Sequence, residues 1–436
     1  MTRWARTLIG MSLVFSVACG DDSGGEDPIV IISNNNGQPN NTVNPNNPNN
    51  VVNPNNPNNV VNPNNPNNVV NPNNPPMNQV ADMIGNGDPT SVEFVRVHTN
   101  TTNLSLQATA IAFNPENTSE LWITQRLPKS DAPCTSLSQT PEGCGSLEGV
   151  TTIVFNPGAA GSTSSTLIDG NSWHFMRRPS SMAFGAPNTF ATCHEERTGN
   201  LLDDVPNFIG PTLWSSDLAI FAQDPGRDSN NQPLNGSHLD MLHQTPYCMG
   251  IAHDKDNAYW TFNGMIGSLD HYDFKDDHGP GYHDHSDGEV RRYAVGQFSR
   301  VEGIPSHMVV VNDWVYVADT GNGRIAKFSP DGATVMGAIS PTYEPLAVNQ
   351  VLSGGTIQDV TTTFERPSGL VHHNGVFFVS DNANGKIYAM SPEGEVLREL
   401  PTQYSNGELA SLAVGPDNKL YYASLTNAEV WRIDPK

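Results

Sequence analysis

The chain has 436 residues, enough for more than one domain or for one large repeat fold. Its 22 basic and 45 acidic residues leave a formal net charge of -23, which excludes nucleic-acid binding through a basic patch. No apolar run reaches the length of a transmembrane helix.

Residues 1–18 read as a leader that is removed. Two arginines, an apolar stretch from Thr7 to Ala18 and small residues precede Cys19. This segment resembles a bacterial lipoprotein signal peptide, although Ser16 stands where such signals carry leucine. The resemblance implies an acylated Cys19, an exported chain held to a membrane by its lipid, and a place in the cell envelope at the outer membrane or cell surface. Residues 19–88 read as a linker. The unit NPNNPNNVV starts at Asn44, Asn53 and Asn62 and begins again at Asn71. Each unit offers two valines to bury and two prolines that oppose helix and central strand, so the segment is expected to be an extended, disordered tether.

Residues 89–436 carry a repeat. Copies start at Ala108, Pro179, Cys248, Pro305, Pro367 and Leu409. Each has small residues, an apolar strand, a polar turn and an aromatic or β-branched strand; the fuller ones add a third strand. A hairpin cannot bury both faces alone, so neighbouring copies must stack, and six small meanders predict an all-β, six-bladed β-propeller. The last copy ends one strand short. SVEFVRVH, residues 91–98, has strand character without a local partner and is expected to supply the missing outer strand and close the ring.

PSHMVVVNDWVYVADTGNGRIAKFSPDG resembles an NHL repeat through Pro305, Val315, Tyr316, Val317, Asp319, Asn322, Gly323, Arg324 and Ile325. Pro367, Gly369, Asp381, Asn384, Gly385 and Ile387 repeat the pattern. The resemblance implies the propeller fold and a ligand face where inner strands begin and second strands end. On that face fall His174, His243, His307 and Glu365, and also His194, Asn263, Asp319 and Asp381. Imidazole and carboxylate meeting near one axis suit a divalent metal such as zinc, copper or calcium, and His174, His243, His307 and Glu365 are the expected ligands. The three histidines resemble the arrangement of peptidyl-hydroxyglycine amidating lyases, which are propellers with zinc on three histidines. Lactonase-type propellers use Glu, Asn and Asp instead, and Glu365, Asn263 and Asp319 are the matching types here. The chemistry implied is that of a metal-dependent lyase or hydrolase; the competing reading is a monomeric surface module without activity that binds a protein or glycan. The ligand itself, whether small molecule, peptide or glycan, is not legible.

A second concentration of ligand-type residues is DHYDFKDDHGPGYHDHSDG, where His278, His283 and His285 with Asp276 form an alternative metal set. Its position between third and fourth strands puts it on the face opposite the mouth. In the second copy Trp214 overhangs the mouth or packs between blades. Apart from Cys19, four cysteines remain. Cys134 and Cys144 flank an insertion in the first copy, and Cys193 and Cys248 fall on one face of neighbouring copies, so two disulfides are expected in an oxidising compartment.

Overall fold

The computed structural model describes residues 75–102, 104–127, 149–199, 207–282 and 284–436. The leader with Cys19, the NPNNPNNVV units, Cys134, Cys144 and His283 lie outside the described residues. The first described element is a helical turn, α1 (Met77–Ala81), followed by a 3-10 turn at Asp82–Ile84. The strand β1 (Val92–His98) comes next.

The remaining strands fall into six sheets. Blade one holds β2 (Gln107–Phe113), β3 (Glu120–Arg126), β4 (Gly149–Phe155) and β5 (Thr163–Leu167). A short helix, α2 (Ser172–Phe175), leads into blade two: β6 (Pro179–Phe184), β7 (Thr189–His194), β8 (Thr212–Ser215) and β9 (His238–Met241). Blade three is β10 (Cys248–Lys255), β11 (Ala258–Asn263), β12 (Ser268–Asp273) and β13 (Glu289–Tyr293). Blade four is β14 (Met308–Val311), β15 (Trp314–Asp319) and β16 (Arg324–Ser329); after a hairpin, β17 (Thr334–Gly337) and β18 (Val348–Ser353), it is completed by β19 (Thr356–Thr361). Blade five is β20 (Pro367–His373), β21 (Val376–Asp381), β22 (Lys386–Met390) and β23 (Val396–Pro401). Blade six is β24 (Leu409–Val414), β25 (Leu420–Ser424) and β26 (Glu429–Pro435), with β1 paired antiparallel on β26 from Val92↔Pro435 to His98↔Val430. The protein is therefore a six-bladed β-propeller closed by its N-terminal strand, as the repeats imply.

The inner strands stand so close that only small residues fit at their starts. Hydrogen bonds then run from blade to blade around the whole ring. Thr109 Oγ1 donates to the Pro179 carbonyl (3.1 Å), and Ser180 Oγ to that of Cys248 (2.6 Å). The Ser306 amide donates to Met249 (2.9 Å). Thr320 Oγ1 donates to Pro367 (2.6 Å), Ser368 Oγ to Ala410 (2.9 Å), and the Ile111 amide to Ser411 Oγ (3.1 Å). Gly250 shows how tight the fit is: a Cβ there would lie 2.0 Å from the Ser306 carbonyl oxygen.

The axis is narrowed by His307. Its Nε2–H donates to the Thr109 carbonyl (2.9 Å) and its Nδ1 accepts from Ser181 Oγ (3.2 Å), so a residue of the fourth blade ties itself to blades one and two. Next to it a cavity of about 250 Å3 opens, walled by residues of all six inner strands, among them Ile111, Met182, Ile251, Val310, Val371 and Leu412.

Two features depart from the sequence reading. Part of the segment 75–88, assigned to the linker, is core: Val80, Ala81 and Ile84 are buried against Val376, Phe378, Leu400 and Leu409 of blades five and six. The β17–β18 hairpin, inserted in blade four, does not stay with that blade; β18 pairs parallel with β13 and widens the third sheet to six strands. The expected disulfide between blades two and three is present, joining Cys193 to Cys248 across 55 residues of sequence.

Gly250→Ala should destabilise the fold by about 1–3 kcal/mol, because the added methyl meets a backbone carbonyl that cannot move without opening the inter-blade bonds. Chemical denaturation checks this, with Gly170→Ala, in open space and without a positive φ, as the comparison for an added methyl at an unpacked glycine.

Candidate functional site

The residues that carry the repeat pattern turn out to hold blades together. Asp319 accepts from the Ser299 amide (2.9 Å), Asn322 Nδ2 (2.8 Å) and Arg324 Nε (2.8 Å). Asp381 accepts from the amides of Glu365, Arg366 and Ala383, each at 3.0 Å. Each carboxylate thus caps the chain arriving from the preceding blade, and this explains the Asp…Asn-Gly spacing. Asn263 is likewise engaged, with Nδ2 donating to Asp270 Oδ2 (3.2 Å) beside the buried Arg292–Asp270 pair. His194 is wholly buried, with Nδ1 on the Gly210 carbonyl (2.9 Å) and Nε2 on Thr192 Oγ1 (3.0 Å). Burial pushes its pKa down to about 3. The polar atoms of these four residues are committed to the scaffold. Trp214 is also core, donating Nε1–H to Thr192 Oγ1 (2.9 Å).

The expected metal set does not assemble. His307 has both nitrogens engaged at the axis. Glu365 is exposed, and its backbone rather than its carboxylate meets Asp381. His174 and His243 do approach each other, with ring centroids 6.4 Å apart. In the alternative set Asp276 is exposed and His278 pairs with Asp287 (3.0 Å). His285 behaves differently from the expectation for its loop. The chain from 274 climbs along β9, where Gly281 donates to the His238 carbonyl (2.8 Å), and delivers His285 to the mouth, 6.0 Å from His243 between ring centroids. One residue of the alternative set therefore joins two of the first.

Each of these three imidazoles is held by its Nδ1. The acceptors are the Gly199 carbonyl for His174 (2.9 Å), Glu344 for His243 (2.5 Å) and Asp240 for His285 (2.6 Å). Glu344 reaches His243 because it sits in the loop of the transplanted β17–β18 hairpin, and its other oxygen accepts the His243 amide (2.9 Å). Burial pushes the Glu344 pKa up, but the His243 imidazole and its hydrogen bonds outweigh this and hold it below the usual range. Phe208 stacks flat on the His243 ring at 3.7 Å, with Tyr343 edge-on to Phe208. His243 Nε2 is buried and has no hydrogen-bond partner. Burial raises the Asp240 pKa, and the bond to Asp240 raises that of His285 against the effect of its own burial; one proton shared across 2.6 Å satisfies both.

Beside this group lies a cluster whose arginines the sequence reading passed over by one or two residues. Arg126 ends β3 and is fully buried; Arg178 directly precedes Pro179. Glu195 is bound by Arg126 NH1 (2.7 Å), Arg300 NH1 (3.2 Å) and the Gly303 amide (2.7 Å). Arg300 also lies 4.2 Å over the Tyr247 ring. Backbone strain gathers here, with positive φ at Arg178 (49°), Gln244 (94°) and Tyr247 (53°). Gln244 is buried with both side-chain polar atoms unpartnered. The available signal was position alone: arginine at a strand end facing the mouth, in a chain poor in basic residues.

No protein-family model matches the chain and no curated protein matches it. Among solved structures it is similar to a luciferin-regenerating enzyme (12% identity over 79% of this chain and 95% of that one, TM-score 0.45). It is also similar to a streptogramin B lyase (11%, 80% and 99%, TM-score 0.41) and to the calcium-binding protein regucalcin of Agrobacterium tumefaciens (12%, 78% and 95%, TM-score 0.43). Likeness at this level says nothing about activity; the propeller assignment stands on the strand order and closure described above.

Burial also sets a pH dependence. His98 and His307 are pushed down from 6.5 to about 4, His194 further. The unfolded chain takes up these protons first, so their stabilisation is full above pH 6.5 and is lost as pH falls toward 4. His278 and His285 are shifted upward and act in the opposite sense, losing stabilisation as pH rises past 6.5. The depressed histidines, which also include His372 and His373, should dominate, giving a loss of roughly 3 kcal/mol for each of His98 and His307. Denaturation between pH 7 and 4 checks this, and His307→Gln should flatten the slope.

Proposed function

We propose that the chain is an exported, lipid-anchored propeller enzyme of lyase or hydrolase type in which His243 moves the proton. The observation that carries this reading is a buried imidazole with one nitrogen given to a carboxylate and the other to nothing. With Nδ1–H donated to Glu344, the Nε2 lone pair is free to accept a proton, and the carboxylate stabilises the imidazolium that results. Phe208 covers one face of the ring and limits water. His285, sharing a proton with Asp240, stands next to it as the group able to return a proton to a leaving atom. The leader and the Asn/Pro-rich segment support export and tethering at Cys19.

A divalent ion on His174, His243 and His285 is the second reading. It is favoured by the Nδ1 acceptor behind each ring, since metal-binding imidazoles are oriented in that way. As placed, no three His, Cys, Asp or Glu side chains among the described residues are arranged to hold an ion, so no step is routed through one.

The test is an assay of the purified full chain on esters, lactones and α-hydroxyamides, with elemental analysis of the same sample. Turnover of one class should fall at least about 100-fold in His243→Ala and about 10-fold in Glu344→Gln. A parent that turns over none of them, or a His243→Ala variant as active as the parent, would overturn the reading in favour of a surface module that binds a protein or glycan.

A further inference from the structure

Arg178 is a charged side chain that the fold pairs only at long range. Its side chain is 7% exposed, and its Nε and NH1 are buried without hydrogen-bond partners. Its nearest carboxylate, Glu195, lies 3.8 Å from NH2, beyond hydrogen-bond distance. Glu195 cannot turn to it, because Oε2 is taken by Arg126 (2.7 Å) and Oε1 by the Gly303 amide (2.7 Å) and Arg300 (3.2 Å). Arg126 in turn is fully used, with Nε on Gln107 (3.3 Å) and NH2 on the Gly303 carbonyl (2.8 Å). The backbone at Arg178 is held at φ 49°, a strained placement for arginine, and its own carbonyl accepts the Glu195 amide (2.9 Å), so the strain fixes the side chain's root beside the Arg126–Glu195 pair. Guanidinium groups are almost always paired when buried; one held in place with two unpaired N–H groups is a site prepared for an oxyanion.

We infer that Arg178 binds the carboxylate of a small ligand at the propeller mouth, next to the Arg126–Glu195–Arg300 cluster. A singly charged carboxylate fits better than a phosphate. Glu196 and Glu302 also lie within electrostatic range of Arg178 without hydrogen-bonding it, and together with Glu195 they oppose a second negative charge. Burial and the neighbouring Arg126 work against the charge on Arg178 while Glu195, Glu196 and Glu302 support it through space, yet these carboxylates leave Nε and NH1 without a hydrogen bond, which an incoming oxyanion would supply. The inference adds a ligand class to the mouth and stands without the acid–base role of His243.

Thermal unfolding of the full chain in sodium acetate, sodium phosphate and sodium chloride at equal ionic strength and pH tests it. Acetate should raise the melting temperature saturably over chloride, as a ligand bound only by the folded state does. Arg178→Gln should lose that increment in acetate relative to chloride; Arg178→Lys should keep a reduced increment. Equal melting of the parent in acetate and chloride would overturn the proposal even if neither variant folds. So would an Arg178→Gln variant that keeps the acetate increment, or a response to phosphate alone. Because nothing here depends on turnover, a failure of the anion site is told apart from a failure of the His243 assignment.

Discussion

The close approach of the six inner strands is the constraint from which the rest follows. Hydroxyls and amides on or beside the inner strands, with Thr320 just after the second strand of blade four, reach a carbonyl or hydroxyl of the neighbouring blade, and the chain of bonds returns to its origin through Ile111 and Ser411. Such bonds form only where the side chains are small, hence the Ser, Thr, Gly and Ala at positions 109, 180, 250, 306, 369 and 410. Each bond alone contributes about 1 kcal/mol, but their geometry fixes the radius of the ring and with it the room left on the axis. That room is little at the His307 level. A side chain from the fourth blade fills it and is neutral because both of its nitrogens are already engaged in a water-poor place.

A narrowed axis moves the chemistry outward. Three residues with unanswered polar atoms stand together at the mouth of blades two and three, on segments between strands rather than on the strands themselves. His243, Gln244 and Arg178 sit on the chain passing from one blade to the next, and Glu344 on a hairpin borrowed from the fourth blade. The Cys193–Cys248 bridge ties the second strand of blade two to the first strand of blade three, directly beneath this region. A bridge at that point limits relative motion of the two blades whose loops meet, so positioning and stability are served by one bond.

The fold was legible because it is written locally. Six meanders, a lone strand ahead of them and small residues at each strand start follow from patterns a few residues long. The disulfide was legible from the same geometry, since Cys193 and Cys248 occupy equivalent ends of adjacent blades. What the sequence hid is non-local. Nothing near Glu344 marks it as the partner of a residue 101 positions away, and the hairpin that brings it reads as an ordinary insertion. His285 was assigned to the far face because the loop between third and fourth strands starts there; its length let it climb back. The helical turn at Met77–Ala81 was lost in the shadow of the Asn/Pro repeats, although Val80, Ala81 and Ile84 are an apolar group those repeats lack.

Asp319 and Asp381 show why repeat position misleads about function. They sit at the mouth and recur, as ligand residues would, yet every oxygen is engaged in capping the incoming chain. A residue that recurs in every blade serves what every blade needs, which is attachment to its neighbour. Arg178 and His243 lie on the segments entering blades two and three, as Glu365 and Glu408 lie on those entering blades five and six, and of these four only Arg178 and His243 are buried with polar atoms unpartnered. Departure from the repeat, together with a polar group for which the scaffold supplies no partner, is the physical mark that separates the candidate site from the framework around it.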